Sequence, residues 1–158
     1  MLGRLFSRSF ANNIVGSQLY DHQTFYRAFE RDLRLCRSEA VVESPFITTR
    51  RVDGLLPILQ KALDRGVRVV INTKPLYEHD PYLHIEAAES IAKLKALGVE
   101  ILYTGGHHRK LAVFDRQILW EGSLNILSQN DSCEIMRRID SEGLANQMLG
   151  FIEIRSFL

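Results

Sequence analysis

Cysteine is scarce in this chain: two residues in 158, Cys36 and Cys133. They lie far apart and form no CxxC pair. That argues against a disulfide framework and a thiolate metal site, and it fits reduced thiols in a cytoplasmic protein. An excess of either charge is also missing, with 20 Lys and Arg against 19 Asp and Glu for a net charge of +1. Such a chain projects no global field toward a polyanion, so any phosphate-binding patch must be local. No run approaches the ~18 apolar residues of a membrane-spanning helix, and no membrane span is expected. The first ten residues, MLGRLFSRSF, are basic and free of acids but hold no long apolar segment. This sets a secretory signal aside. A transit peptide fits their composition alone, but residues 1–20 are read as an N-terminal arm. No Asp, Glu and His cluster has metal-ligand spacing, and neither a metal nor a cofactor is expected. Repeats, low-complexity tracts and linkers are absent as well.

What is present is an ordinary globular mix, 46% apolar and 25% charged. It can bury a core, and 158 residues fit one domain, read here as 1–158. Taken in order, the chain alternates helix and strand. Phe25, Phe29, Leu33 and Cys36 recur at three- and four-residue spacing and predict a helix over 22–37, with Asp21 as its cap. Ala40-Val41-Val42 predicts a strand over 39–47. Leu55, Leu56, Leu59 and Leu63 predict a helix over 52–65, stopped by Gly66. A strand over 67–73, a polar loop over 77–82, a helix over 85–97 stopped by Gly98, and a strand over 99–103 follow. Strands spaced by helices imply parallel βαβ units. A strand over 133–139 and a closing helix over 142–157 complete the chain.

The stretch that organises the rest runs from Gly105 to Asp115 and on to Glu134. Leu111 to Phe114 is a short apolar strand, and residues 117–121 form a second one, broken by Gly122. The two make an antiparallel hairpin, so the sheet is expected to be mixed, in an α/β fold with helices flanking it. Asp115-Arg116 is not the Asn-Gly of the tightest hairpins, which leaves the loop length open. A two- or four-residue loop places Lys110 opposite Glu121 and His108 opposite Ser123. A three-residue loop moves Ser123 to the other face. On the even reading an imidazole, an ammonium, a hydroxyl and an amide converge at a strand end. Lys110 can hold a phosphate as a point charge. Ser123 and Asn125 can donate to it, and His108 is left to attack phosphorus or move a proton.

His108, Lys110, Asp115, Gly122, Ser123 and Asn125 stand at the spacing HxK, four residues, Asp, six residues, GSxN. This pattern resembles the signature of the phospholipase D superfamily, especially its small bacterial nuclease members. The motif spans about a sixth of the chain, and six positions at fixed spacing make a specific signal. Members also carry a glutamate soon after GSxN, and Glu134 is the match. The resemblance implies a phosphohistidine on His108, later released by water without a metal, with Glu134 on the far nitrogen of the imidazole. It implies structural roles for Asp115 and Gly122. A second histidine must protonate the leaving oxygen. The chain has one HxK motif, so the second histidine is expected from another copy in a homodimer. His107 has Arg109 two residues on, not lysine, and is read as shaping the loop. With Arg50 and Arg51, which follow a strand end, it is also a candidate substrate contact; a solvated pair is the plain reading of the two arginines.

The expected activity is a phosphodiesterase on nucleic acid, DNA rather than RNA. Two other readings stand beside it. One is a phospholipase or phosphatidyl transferase. The other is a nucleic-acid-binding module with weakened catalysis.

Overall fold

The computed structural model describes residues 13–128 and 132–154. Its strands are β1 (Gly16–Asp21), β2 (Glu39–Glu43), β3 (Arg68–Thr73), β4 (Glu100–Tyr103), β5 (Leu111–Phe114), β6 (Ile118–Gly122) and β7 (Ile135–Asp140). Its helices are α1 (Phe25–Leu35), α2 (Thr49–Asp64), α3 (Pro81–Leu97) and α4 (Glu142–Phe151). The strands form one mixed sheet in the order β1-β7-β6-β5-β2-β3-β4. β2, β3 and β4 run parallel, while β5, β6, β7 and β1 join antiparallel to their neighbours.

Alternation along the strands sorts the side chains onto two faces. Ala40, Val42, Val69, Ile71, Ala112, Phe114, Trp120 and Met136 pack under α1, α2 and α3. Val41, Val70, Leu111, Val113, Leu119 and Ile139 pack against α4. β2 is an interior strand, between β5 and β3, and its Ala40, Val41 and Val42 are apolar on both faces, as a strand buried on both sides must be. On the first face the Trp120 ring meets Phe25 edge-on at 5.2 Å between centroids. Its indole N–H donates to the buried Asp32 carboxylate at 3.0 Å, and Arg138 donates to the same carboxylate at 2.6 Å. One acid of α1 thus satisfies a buried indole of β6 and an arginine of β7, which fixes α1 on the antiparallel half of the sheet.

Several expectations need correction. β1 begins inside the stretch read as an arm, and residues 16–21 pair with all of β7. Residues 1–12 lie outside the described residues. The loop expected over 77–82 holds a 3-10 turn, Leu76–Glu78, and α3 already begins at Pro81. Proline suits that position because its missing N–H would go unpaired there anyway. Asp21 accepts from Gln23 N and Thr24 N, but Thr24 holds the cap position of α1. α4 ends at Phe151, and residues 155–157 of the expected closing helix lie outside the described residues.

The hairpin is also corrected. Gln117 N donates to Phe114 O at 3.0 Å, and Asp115 and Arg116 take positive φ angles of 52° and 54°. Positive φ at both central residues suits the right-handed twist of the flanking strands. Phe114 then pairs with Ile118 and Leu111 with Glu121. The loop therefore has three residues, the odd case. Lys110 lies opposite Gly122, with Gly122 N donating to Lys110 O at 3.3 Å. Ser123 and Lys110 do not share a face. Gly122 does not break the strand either, since it ends β6 paired with Met136.

Candidate active site

β2, β3 and β4 all end at one edge of the sheet. β5 begins at that edge, on the other side of β2. The strand order therefore reverses between β2 and β5, and ligands of open α/β sheets sit at such a reversal, outside the carboxyl ends of the strands. His108 and Lys110 occupy this place, just ahead of β5. His108 is exposed. Among the described residues its imidazole makes no hydrogen bond, and Lys110 Nζ rests 2.7 Å from the His108 carbonyl oxygen.

Arg109 lies between them and takes the opposite face. Its guanidinium donates twice to Glu43, at 2.5 Å from Nε and 2.9 Å from Nη2. Glu43 is the last residue of β2 and is fully buried. Asn72 Nδ2 donates to the same carboxylate at 2.8 Å, and Thr104 hydrogen-bonds to Asn72. The ends of the three parallel strands are thus joined by one hydrogen-bond chain, Thr104 to Asn72 to Glu43. The pair with Glu43 holds the Arg109 guanidinium at the α4 face of the sheet, the face on which Leu111 and Val113 also pack. Glu43 and Asn72 were not read from the sequence. A lone acid inside the apolar strand Ala40-Val41-Val42-Glu43 was the available signal, because an acid is almost never fully buried without a partner.

His107 is buried, with Nε2 3.8 Å from Glu43 Oε2, and neither of its ring nitrogens has a hydrogen-bond partner. Burial pushes its pKa down; the Glu43 charge opposes the shift and Arg109 adds to it. His107 is thus a neutral inward ring and not the surface contact expected. Arg51 needs the same correction. Its guanidinium is enclosed, donating to Glu30 Oε1 at 2.8 Å and to Ile126 O at 3.2 Å, and it stacks over the Tyr26 ring at 4.1 Å. Its charge is used inside the protein. Arg50 is exposed at the start of α2.

Arg51 instead supports the loop after β6. Ile126 O accepts from Arg51, and Asn125 O accepts from Tyr26 Oη at 3.4 Å. Leu127 is gripped on both sides, its N–H by Ser44 Oγ and its carbonyl by Thr48 N, at 3.1 and 2.9 Å. Asn125 itself keeps a buried side-chain oxygen without a partner. Ser123 Oγ accepts from Ile135 N at 3.1 Å, and Ser123 N donates to Ile135 O at 3.0 Å. This pair holds the residue after Glu134. Glu134 lies just ahead of β7, not within it as expected, and its Oε1 accepts from Ser132 Oγ at 3.2 Å. No hydrogen bond joins it to His108 among the described residues. It does sit near Tyr26, whose hydroxyl is pushed up to about 12, mainly by burial, with the Glu134 charge adding to the shift.

The remaining motif residues shape the backbone. Asp115 accepts from the backbone N–H of Arg37, Ser38 and Glu39 and from Ser38 Oγ. Burial alone would raise its pKa, but these donors hold it below the usual carboxylate range. It ties the hairpin to the α1–β2 connection. At Gly122 a Cβ would strike the Ile135 carbonyl and lie 2.8 Å from Met136 Sδ, so β7 approaches too closely for any side chain. Among the described residues no three His, Cys, Asp or Glu side chains cluster as a metal site would. No helix among them is long and apolar enough to cross a membrane. A cleft of about 660 Å³ opens on the α4 side, where it is bordered by Arg109, Asn72 and Phe151 but not by His108.

A family model described as cardiolipin synthase, PLD-like domain, matches residues 29–153. The chain belongs to the phospholipase D-like family. This PLD-like chain also shares its fold with solved structures. Nuc from Salmonella typhimurium, a phospholipase D family member, superposes with a TM-score of 0.73 at 15% identity, covering 89% of this chain and 93% of Nuc. NucT from Helicobacter pylori gives 0.70 at 14% identity, covering 87% and 93% of the two chains. TrmBL2, an archaeal chromatin protein with a novel mode of DNA binding, gives 0.62 at 14% identity, covering 90% of this chain and 53% of TrmBL2. At these identities the likeness is one of fold. No curated protein sequence matches the chain.

Proposed function

We propose that this PLD-like protein is a phosphodiesterase that hydrolyses nucleic acid, DNA in preference to RNA, through His108. The observation that carries the reading is the exposed His108-x-Lys110 pair at the strand-order reversal, beside the loops that bear Asn125 and Glu134. A phosphodiester is anionic and repels nucleophiles. Lys110 and the amide of Asn125 offset that charge. The free lone pair of a His108 ring nitrogen attacks phosphorus. The N–P bond forms as the P–O bond to the leaving group breaks, and an acid on the far side protonates the departing oxygen. Water then attacks the phosphohistidine, and the N–P bond breaks to return His108. Glu134, turned from Ser132 toward the far ring nitrogen, stabilises the imidazolium.

The far-side acid is His108 of a second copy. A two-fold axis through the site is isologous, one surface meeting itself, and it doubles the local positive charge in a chain of net charge +1. The reading keeps the protein cytoplasmic, with Cys36 and Cys133 as free thiols.

The test is incubation of purified protein with plasmid, single-stranded DNA, RNA and phosphatidylcholine vesicles in EDTA. Cleavage of nucleic acid that is lost in His108→Ala is expected. Turnover of lipid alone would replace the reading with a phospholipase or phosphatidyl transferase. Binding without turnover would leave a nucleic-acid-binding module.

A further inference from the structure

Tyr77 and Tyr82 are 81% and 95% exposed. Tyr77 belongs to the connection between β3 and α3 and Tyr82 to the first turn of α3, and this segment leaves the sheet at the same edge as the HxK segment. Two aromatic rings left in water five positions apart call for something that covers them. Their backbone is ordered. Glu78 N donates to Pro75 O and His79 N to Leu76 O. The Glu78 carboxylate takes Gly106 N at 3.0 Å, which ties the turn holding Tyr77 to the residue two before His108. Tyr82 lies in the first turn of α3. One turn on, Glu86 accepts from Thr49 N at 2.8 Å, which sets this end of α3 beside Arg50. The rings therefore stand on fixed backbone next to the reaction centre, so presenting them costs little conformational entropy.

We infer that this segment is a base-stacking platform, with Tyr77 and Tyr82 receiving the unpaired bases of a single-stranded nucleic acid whose phosphodiester lies at His108. The inference rests on the nucleic-acid reading above and names its substrate class. A strand engaged at one phosphate must run on over the neighbouring surface. There it meets Arg50 and Lys74, the latter seated over the Phe46 ring at 4.0 Å. The nearest carboxylates, Glu78 and Glu86, face inward onto backbone N–H groups. Asp80 is the exposed acid of the segment, and it steers phosphates to the Arg50 and Lys74 side while the rings meet bases. Unpaired bases offer a π-face to an aromatic side chain whatever their identity. In a duplex those faces are already stacked on one another.

The experiment uses the full chain carrying His108→Ala, so that no probe is cut. Anisotropy titrations compare a labelled thymidine 12-mer, an abasic 12-mer of equal charge and a 12-base-pair duplex. The thymidine strand should bind tightest. Tyr77→Ala and Tyr82→Ala should each weaken it about 5- to 150-fold, the range for one base on one aromatic ring, while Tyr77→Phe and Tyr82→Phe retain binding. Equal affinity for thymidine and abasic strands, or tighter binding of duplex, overturns the platform and leaves the phosphodiesterase reading standing. If no probe binds and the wild-type protein cuts none of the three, both readings fall together.

Discussion

Arg109 and Glu43 offer the sharpest perturbation, because their two ends differ in exposure. The Arg109 side chain is 40% exposed, whereas that of Glu43 is 0% exposed. Arg109→Met leaves a carboxylate in the interior with only Asn72 as donor. Breaking a buried pair from that side costs about 3–5 kcal/mol, since the stranded charge cannot reach water. Glu43→Gln keeps the shape and can still accept from Asn72, while Arg109 swings out to solvent. Only charge-assisted hydrogen bonds are lost, about 1.5–3 kcal/mol. Urea unfolding resolves the difference. With a slope of about 2 kcal/mol per molar, the midpoint should fall by about 2 M in Arg109→Met and by about 1 M in Glu43→Gln. In both variants nothing holds position 109 to the α4 side, so turnover by the HxK pair should fall as well. Equal costs, or a larger cost for Glu43→Gln, would refute the asymmetry. Costs under about 0.5 kcal/mol in both would show that the pair does not hold the segment.

Other outcomes follow from the same geometry. His108→Ala should abolish cleavage without lowering the melting temperature, because the ring is exposed and unbonded; a dead His107 variant beside an active His108 variant would reverse the assignment. Activity should survive EDTA, and loss restored by magnesium or zinc would substitute metal-assisted hydrolysis. Gly122→Ala should cost about 1–3 kcal/mol by forcing β7 away from β6, read as a drop in melting temperature; an unchanged melt would contradict the close approach. His107 and His79 both have depressed pKa values, chiefly through burial, and bind fewer protons folded than unfolded. Stability should hold above about pH 6.5 and fall below it at up to about 1.4 kcal/mol per pH unit for each histidine, with a shallower slope in His107→Gln. Light scattering should show a dimer, and mixed dimers of wild-type and His108→Ala chains should be nearly inactive; a fully active monomer would end the shared-site model.

The helices and central strands were legible because each has a long, regular pattern. Phe25, Phe29 and Leu33 mark the buried stripe of α1, and Gly98 stops α3 with a φ of 106°. β1 was not legible. It is a six-residue edge strand with mostly exposed side chains, so it shows little apolar alternation, and its pairing with β7 is set by tertiary contact. The motif residues could be found from spacing alone. Their supports could not. Glu30, Tyr26 and Glu43 are distant in sequence from the segments they hold, and each looks like a surface or core residue until the fold brings it to its partner. Arg51 misled for the same reason: beside Arg50 it reads as a charged surface pair, and only burial separates the two.

The one-residue difference in the hairpin changes the chemistry assigned to the motif. With an even loop, Ser123 would point with Lys110 at a shared phosphate. With Asp115, Arg116 and Gln117 all in the loop, Lys110 faces Gly122, which has no side chain. Ser123 Oγ is instead engaged by Ile135 N, directly after Glu134. Its role on this geometry is to fix where the Glu134 loop enters β7, and Asn125 is left as the amide of the motif. A kinetic split follows. Ser123→Ala should lower kcat through a misplaced Glu134 while leaving KM for nucleic acid near the wild-type value. Asn125→Ala, which removes a phosphate donor, should lower kcat and kcat/KM together. If Ser123→Ala instead raised KM alone, Ser123 would be a direct phosphate contact and the even-loop arrangement would be the active one.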